Sequence, residues 1–133
     1  AYRGIITAPD KSLKIRAKAV KNLILQMKDN NRKRAIQADS IHAEIQRSPY
    51  PVIVCGDFND TPASYTYHRV KKGLTDGFQD VGNGYQYTFR QLYRLWRIDY
   101  VFYSESLKGQ DCFSPDVSYS DHNMVVWRGC VKN

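Results

Sequence analysis

The apolar positions of this chain change period about a third of the way along. Leu13, Ala17, Val20, Ile24 and Met27 recur three or four apart on an otherwise Lys-rich segment, which predicts a helix. Asp10 or Ser12 is placed to cap its start, and Asp29-Asn30-Asn31 marks a stop or a bend. Ala35, Ala38, Ile41 and Ile45 form a second helical stripe with His42 beside it. Ser48-Pro49 ends that stripe, because proline pushes the residue before it out of helical conformation. Beyond residue 50 the pattern turns to strands. Val52-Ile53-Val54-Cys55, bounded by Pro51 and Gly56, predicts a short buried strand with Cys55 in the core. Thr61-Pro62 reads as an N-cap followed by proline at the first helical position, opening a short helix through Tyr65, His68 and Val70 that closes at Gly73. Residues 73–97 show little periodicity and predict a long loop, with Tyr87-Thr88-Phe89 a candidate strand inside it. Residues 98–103 are the clearest strand, with faces Ile98/Tyr100/Phe102 and Asp99/Val101/Tyr103. A segment near 110–117, interrupted by Pro115, and Met124-Val125-Val126-Trp127 predict two more. These late strands follow one another without helices, so they are expected to be antiparallel neighbours. The fold class is α/β, of the sandwich type that mixes helices with a largely antiparallel sheet.

Length and charge narrow this picture. At 133 residues the chain supports one domain with a modest core, divided into a basic helical segment at 1–48 and a sheet and loop region at 50–129. No apolar run approaches the length of a membrane span. Ala1-Tyr2-Arg3-Gly4 does not resemble a native start, so a processed or partial chain is expected, and the compartment stays undefined. The net charge of +7 suggests nucleic acid, but residues 1–50 hold 11 Lys and Arg against 4 Asp and Glu, while residues 51–133 hold 9 of each. The excess therefore sits on the helical segment, which reads either as a solvated helix face or as a contact surface. Cys55, Cys112 and Cys130 are an odd count without metal-ligand spacing; a Cys112–Cys130 disulfide stays open.

Three polar clusters stand at strand ends: Asp57 with Asn59, Asp99, and Asp121 with His122. Alternation along an extended segment points Asp57 and Asn59 the same way. Asp99 is a carboxylate inside an apolar strand, costly without a partner. It can accept a hydrogen bond from one nitrogen of His122, fixing the tautomer and raising the basicity of the other. Asp121 is then free for a hard cation such as Mg²⁺, Asp57 for orienting or deprotonating a water, and Asn59 for donating to a phosphoryl oxygen. Each also has an ordinary reading. Asp57 and Asn59 suit a turn, Asp99 suits an ion pair with Arg97, Asp121 suits a turn cap, and His122 suits a satisfied core histidine.

Val-Ile-Val-Cys-Gly-Asp-Phe-Asn-Asp at 52–60, Arg-Ile-Asp-Tyr-Val-Phe at 97–102 and Ser-Asp-His-Asn-Met-Val at 120–125 resemble, in order and spacing, three signature blocks. They are those of the endonuclease/exonuclease/phosphatase superfamily, with its deoxyribonuclease-I-like fold. The resemblance runs from about Arg32 to near the C-terminus and covers the second half of that fold, a two-sheet sandwich flanked by helices. It implies one mixed or antiparallel sheet with helices on one face. It implies Asp57 as the water-orienting carboxylate, Asn59 as a phosphate or transition-state contact, Asp99 as partner of His122, Asp121 as a metal or water ligand, and His122 as a phosphate-polarising imidazole or general acid/base. Tyr87 and Thr88 resemble a segment bordering the substrate.

The family's early Asn-bearing strand, its metal-binding Glu and its His-containing strand have no counterpart in residues 1–50, where Glu44 and Asn22 both lie on predicted helices. The expectation is therefore a metal-dependent phosphoester hydrolase acting by direct attack of water, with Mg²⁺ or Mn²⁺, of which this chain carries part of the site and is inactive alone. A non-catalytic module binding a protein or a membrane surface through the basic helices is the alternative. Substrates implied are nucleic acid, a lipid phosphate or a small phosphate. Self-association through an uncovered sheet face is expected. Aromatics of the 73–97 loop (Tyr85, Tyr87, Phe89, Tyr93, Trp96) either stack on substrate or pack on the sandwich.

Overall fold

The computed structural model describes residues 11–84, 87–89 and 97–133, with side chains from Lys14 onward. The expected caps at Asp10 and Ser12, the Leu13 side chain, and Tyr85, Tyr93 and Trp96 lie outside the described residues. Two compact units are present, Ala1–Arg34 and Ala35–Asn133. The expected internal boundary at 48–50 falls within the second.

Helix α1 spans Lys11–Arg47 and contributes to both units. No break occurs at Asp29-Asn30-Asn31. The Asp29 carboxylate pairs with Lys33 Nζ one turn on at 2.7 Å, and the Arg34 guanidinium donates to the Asn31 side chain. Helical spacing thus turns polar residues that favour loops into a bonded helix surface. In the first unit the apolar stripe is open: Val20, Ile24 and Met27 are all exposed. No helix among the described residues is long and apolar enough to cross a membrane.

The second unit holds the core. Strand β1 (Ile53–Asp57) pairs antiparallel with β3 (Asp99–Tyr103), which pairs on its other side with the two-residue β2 (Thr75–Asp76). Strands β4 (Leu107–Phe113) and β5 (Val126–Val131) form a separate antiparallel pair. Among the described residues the strands thus divide between two sheets where one was expected, and the named strands pair antiparallel. Together with the helices they make the mixed, sandwich-type α/β fold that the alternation predicts. The 98–103 faces separate as read. Tyr100 and Phe102 pack with Tyr67 and Val70 of α2 (Tyr65–Lys71), with Ala38 of α1, and with Val54 and Phe58. Ring centroids of 5.0–5.6 Å link Phe58, Tyr67, Tyr100 and Phe102, at about 1.5–3 kcal/mol for each fully buried side chain of this size. On the opposite face Tyr103 meets Trp127 of β5 at 4.6 Å.

Three local expectations are corrected. Helix α2 starts at Ser64, whose hydroxyl accepts the Tyr67 N–H at 3.1 Å, not at Thr61-Pro62. Gly73, at φ +80°, ends the turn that follows it, a backbone setting that glycine takes without strain. The long loop contains β2 and helix α3 (Gly77–Val81), capped by Asp76 through its bond to the Phe78 N–H. Cys55 is exposed because β1 is an edge strand whose outer face is open, so its apolar run signals half-burial rather than full burial. Cys112 stands opposite Trp127 and Cys130 opposite Lys108, so the two are not joined in a disulfide.

Candidate active site

Register builds the site. The antiparallel ladder of β1 and β3 sets Asp57 directly opposite Asp99 at its last rung. Two carboxylates facing each other across a sheet repel, and a third group lies between them. His122, on the loop before β5, bonds through Nδ1 to Asp99 Oδ2 at 2.9 Å, and its Nε2 stands 3.8 Å from Asp57 Oδ2. An ionised carboxylate only accepts, so the Nδ1–H is the donor toward Asp99 and Nε2 faces Asp57. The His122 pKa is raised, first by the hydrogen bond to Asp99 against an opposing cost of burial, then by the charges of Asp99, Asp57 and Asp121. These groups border an open cavity of about 370 Å³, also lined by Cys55, Gly56, Tyr119 and Ser120.

Asp57, Asp99 and His122 therefore come together as a trio, with ligand atoms within 4.8 Å of one another. Two carboxylates and one imidazole suit a divalent cation, and the oxygens suit a hard one such as Mg²⁺. Asp121 is exposed, stands outside the trio and reaches His122 through its charge. Asn59 departs from the simple alternation. β1 ends at Asp57, and Asn59 takes φ 52° with its N–H on Asp57 Oδ1 at 2.7 Å. That local turn occupies one oxygen of Asp57 and leaves the other toward His122.

Arg97 is not the partner of Asp99. It binds both oxygens of Asp76, at 3.1 and 2.9 Å, in a buried pair that also receives the Tyr67 hydroxyl at 2.6 Å. Its guanidinium lies over the rings of Phe78 and Tyr100. The chain is thereby anchored two residues before Asp99. Thr88 is 1% exposed, so it lies beneath the surface that a substrate meets, and Tyr87 is half-buried with its hydroxyl on Asp116 at 3.1 Å. The expected strand at 87–89 is a single bridge, Phe89 to His122. Sequence reading passed over Asp76, whose pairing with Arg97 spans 21 positions and leaves no local pattern. Asn123, which the sequence marks only as a minor departure after the Asp-His pair, is buried beside His122. Glu44 is exposed on α1, bonded to Arg47, and lines a separate apolar cavity with Ile41, Val52 and Val54.

Comparison with known proteins follows the same outline. The model of the Endonuclease/Exonuclease/phosphatase family matches residues 18–122. Among solved structures, an endonuclease/exonuclease/phosphatase from Bacteroides vulgatus is 25% identical, with TM-score 0.65, over 74% of this chain and 44% of its own. A functionally unknown conserved protein from Enterococcus faecalis V583 is 22% identical with TM-score 0.68, over 77% and 46%. A mannosyl-6-phosphatase from Bacteroides thetaiotaomicron VPI-5482 is 23% identical with TM-score 0.55, over 72% and 44%. The chain thus spans less than half the length of these structures. No curated protein matches it.

Proposed function

Because the chain belongs to the endonuclease/exonuclease/phosphatase family, we propose that the protein carrying it is a metal-dependent phosphoester hydrolase that acts by direct attack of water. The observation that carries this reading is the facing pair Asp57–Asp99 with His122 held on Asp99 at 2.9 Å beside an open cavity. Structural ion pairs are normally arranged to neutralise charge. Here two acids are opposed at a strand end, the arrangement that a cation or a charged transition state relieves.

The roles follow from position. Asp57 orients a water and takes its proton as the water oxygen bonds to phosphorus and the ester P–O bond breaks. His122, oriented by its bond to Asp99, which favours the protonated form, presents Nε2–H to a phosphoryl or leaving oxygen, where its charge matches the charge that develops. Asn59 donates to a phosphoryl oxygen. A divalent cation, Mg²⁺ or Mn²⁺, would supply Lewis-acid stabilisation of the phosphoryl oxygens. Asp57 of the trio and exposed Asp121 outside it are the carboxylates on this chain that would hold it, while His122 stays on Asp99. The same scaffold serves as a binding module if this chemistry is absent. The large apolar side chains exposed on β1, β4 and β5 favour self-association of the chain.

The test is hydrolysis of generic phosphomonoesters and phosphodiesters by the full-length protein with Mg²⁺ and with chelator. His122→Ala and Asp57→Asn are expected to lower turnover about 10²- to 10⁴-fold each. Wild-type rates in both variants exclude the assigned roles.

A further inference from the structure

We propose that Thr88 is the positioning residue of the His122–Asp99 pair and that Asn123 completes the same clamp. The proposal rests on the catalytic reading above for its effect on rate, and on geometry alone for its effect on structure. Thr88 is almost wholly buried, and both its hydroxyl oxygen and its carbonyl oxygen accept hydrogen bonds. Its hydroxyl oxygen accepts the backbone N–H of Ile98 at 3.0 Å and of Asp99 at 3.1 Å. Its carbonyl accepts the N–H of Asn123 at 2.6 Å. One residue therefore holds the backbone that carries the carboxylate and the backbone that carries the imidazole, although these lie 23 positions apart in the chain. The next residue continues the clamp, with Phe89 bridged to His122 and their rings 5.0 Å apart.

Asn123 ties the imidazole side to a third segment. It is 2% exposed; its amide donates to Asp116 Oδ1 at 2.9 Å and accepts the Val117 N–H at 3.3 Å. Asp116 also takes the Tyr87 hydroxyl, which closes the circuit back to the residue before Thr88. A buried hydroxyl that accepts two N–H groups is hard to replace. An apolar side chain of equal size leaves both N–H donors without the partner they have at this buried position. The 2.9 Å bond of the dyad depends on two backbones that do not otherwise pair with each other, so loosening either one lengthens it. Thr88 touches neither cavity nor reacting atoms; it acts through Asp99 and His122.

The full-length protein tests this with three variants. Thr88→Val removes the hydroxyl at constant shape, Thr88→Ser keeps it, and Asn123→Ala cuts the link to Asp116 and Val117. The spectroscopic signature is the downfield proton resonance of the His122 Nδ1–H on Asp99, assigned by its loss in His122→Ala. Thr88→Val is expected to shift that resonance upfield or broaden it away, and to lower kcat about tenfold or more with KM within about twofold. Thr88→Ser is expected to restore both to near wild type, and Asn123→Ala to show the same changes at smaller size. An unchanged resonance and kcat in Thr88→Val overturn the proposal, as does a Thr88→Ser variant no better than Thr88→Val. If Thr88→Val does not fold, Asn123→Ala decides, and wild-type resonance and kcat there overturn it. If the resonance responds as expected while no phosphoester is turned over by any form, the clamp stands and the catalytic reading fails.

Discussion

Asp57 and Asp99 share a rung of a ladder where like charges oppose, and His122 stands against both. The cost is a stability matter as well as a chemical one. Facing like charges on a sheet are worth roughly 0.2–1 kcal/mol. Asp57→Asn, which keeps the turn bond to the Asn59 N–H, is expected to raise unfolding free energy by about that amount in chelator. The same variant is expected to lose the stabilisation that Mg²⁺ gives the native protein; denaturant melts with and without cation measure both. The His122 pKa is raised in the fold above its ordinary 6.5. Its protonated form therefore contributes stability that is complete below pH 6.5 and declines as pH rises through the raised value. The stability difference between wild type and Asp99→Asn, which removes the largest cause of the raise, is expected to shrink from pH 6 toward pH 9. A difference that grows with pH contradicts the assignment.

At the scale of elements, β3 does most to place the site, and it was the most legible part of the sequence. Its two-residue period sorts Tyr100 and Phe102 toward the helices and Asp99 and Tyr103 toward the other side. That Asp99 needs a partner was legible for a related reason, a carboxylate inside an apolar strand being costly alone, and His122 is that partner. Asp121, by contrast, stands outside the trio and Asn59 follows a turn. The long helix was not legible. Asp29-Asn30-Asn31 has weak helix propensity, which the Asp29–Lys33 and Asn31–Arg34 side-chain contacts offset in part. Helix α3 and strand β2 were also hidden, because their order comes from Asp76, which caps α3 and grips Arg97 across the fold. Nor could spacing show that Thr88 turns inward, since burial there follows from bonds to residues 10, 11 and 35 positions away. Residues at 109 and 129 illustrate a subtler limit. A side chain at Gly129 would collide with the Trp127 ring and one at Gly109 would meet the Tyr103 hydroxyl at 2.6 Å, so both glycines make room for that aromatic pair.

For the molecule as a whole, the fold was readable and the extent of its exposed apolar surface only in outline. Ile53, Phe113, Met124 and Val131 are open on the second unit, and Val20, Leu23 and Met27 on the first. Single exposed apolar residues are ordinary, but open ones on strands of both sheets favour association. This chain is expected to sediment as a dimer or larger species at micromolar concentration. Ile53→Lys with Val131→Lys is expected to shift it toward monomer without altering its circular dichroism. A monomer at every concentration excludes self-association through these strands.

The outward-facing sulfur of Cys55 gives the edge strand a practical use. It lies two residues before Asp57 on the same face of β1 and borders the same cavity as His122, while burial pushes the Cys112 thiol up to about 11 and keeps it inert near neutrality. Mild alkylation at pH 7.5 is therefore expected to mark Cys55 and Cys130 but spare Cys112, as peptide mass mapping checks. A maleimide-linked paramagnetic tag on Cys55 in a Cys130→Ser background then sits at the mouth of the cleft, where line broadening reads out arriving ligands one by one.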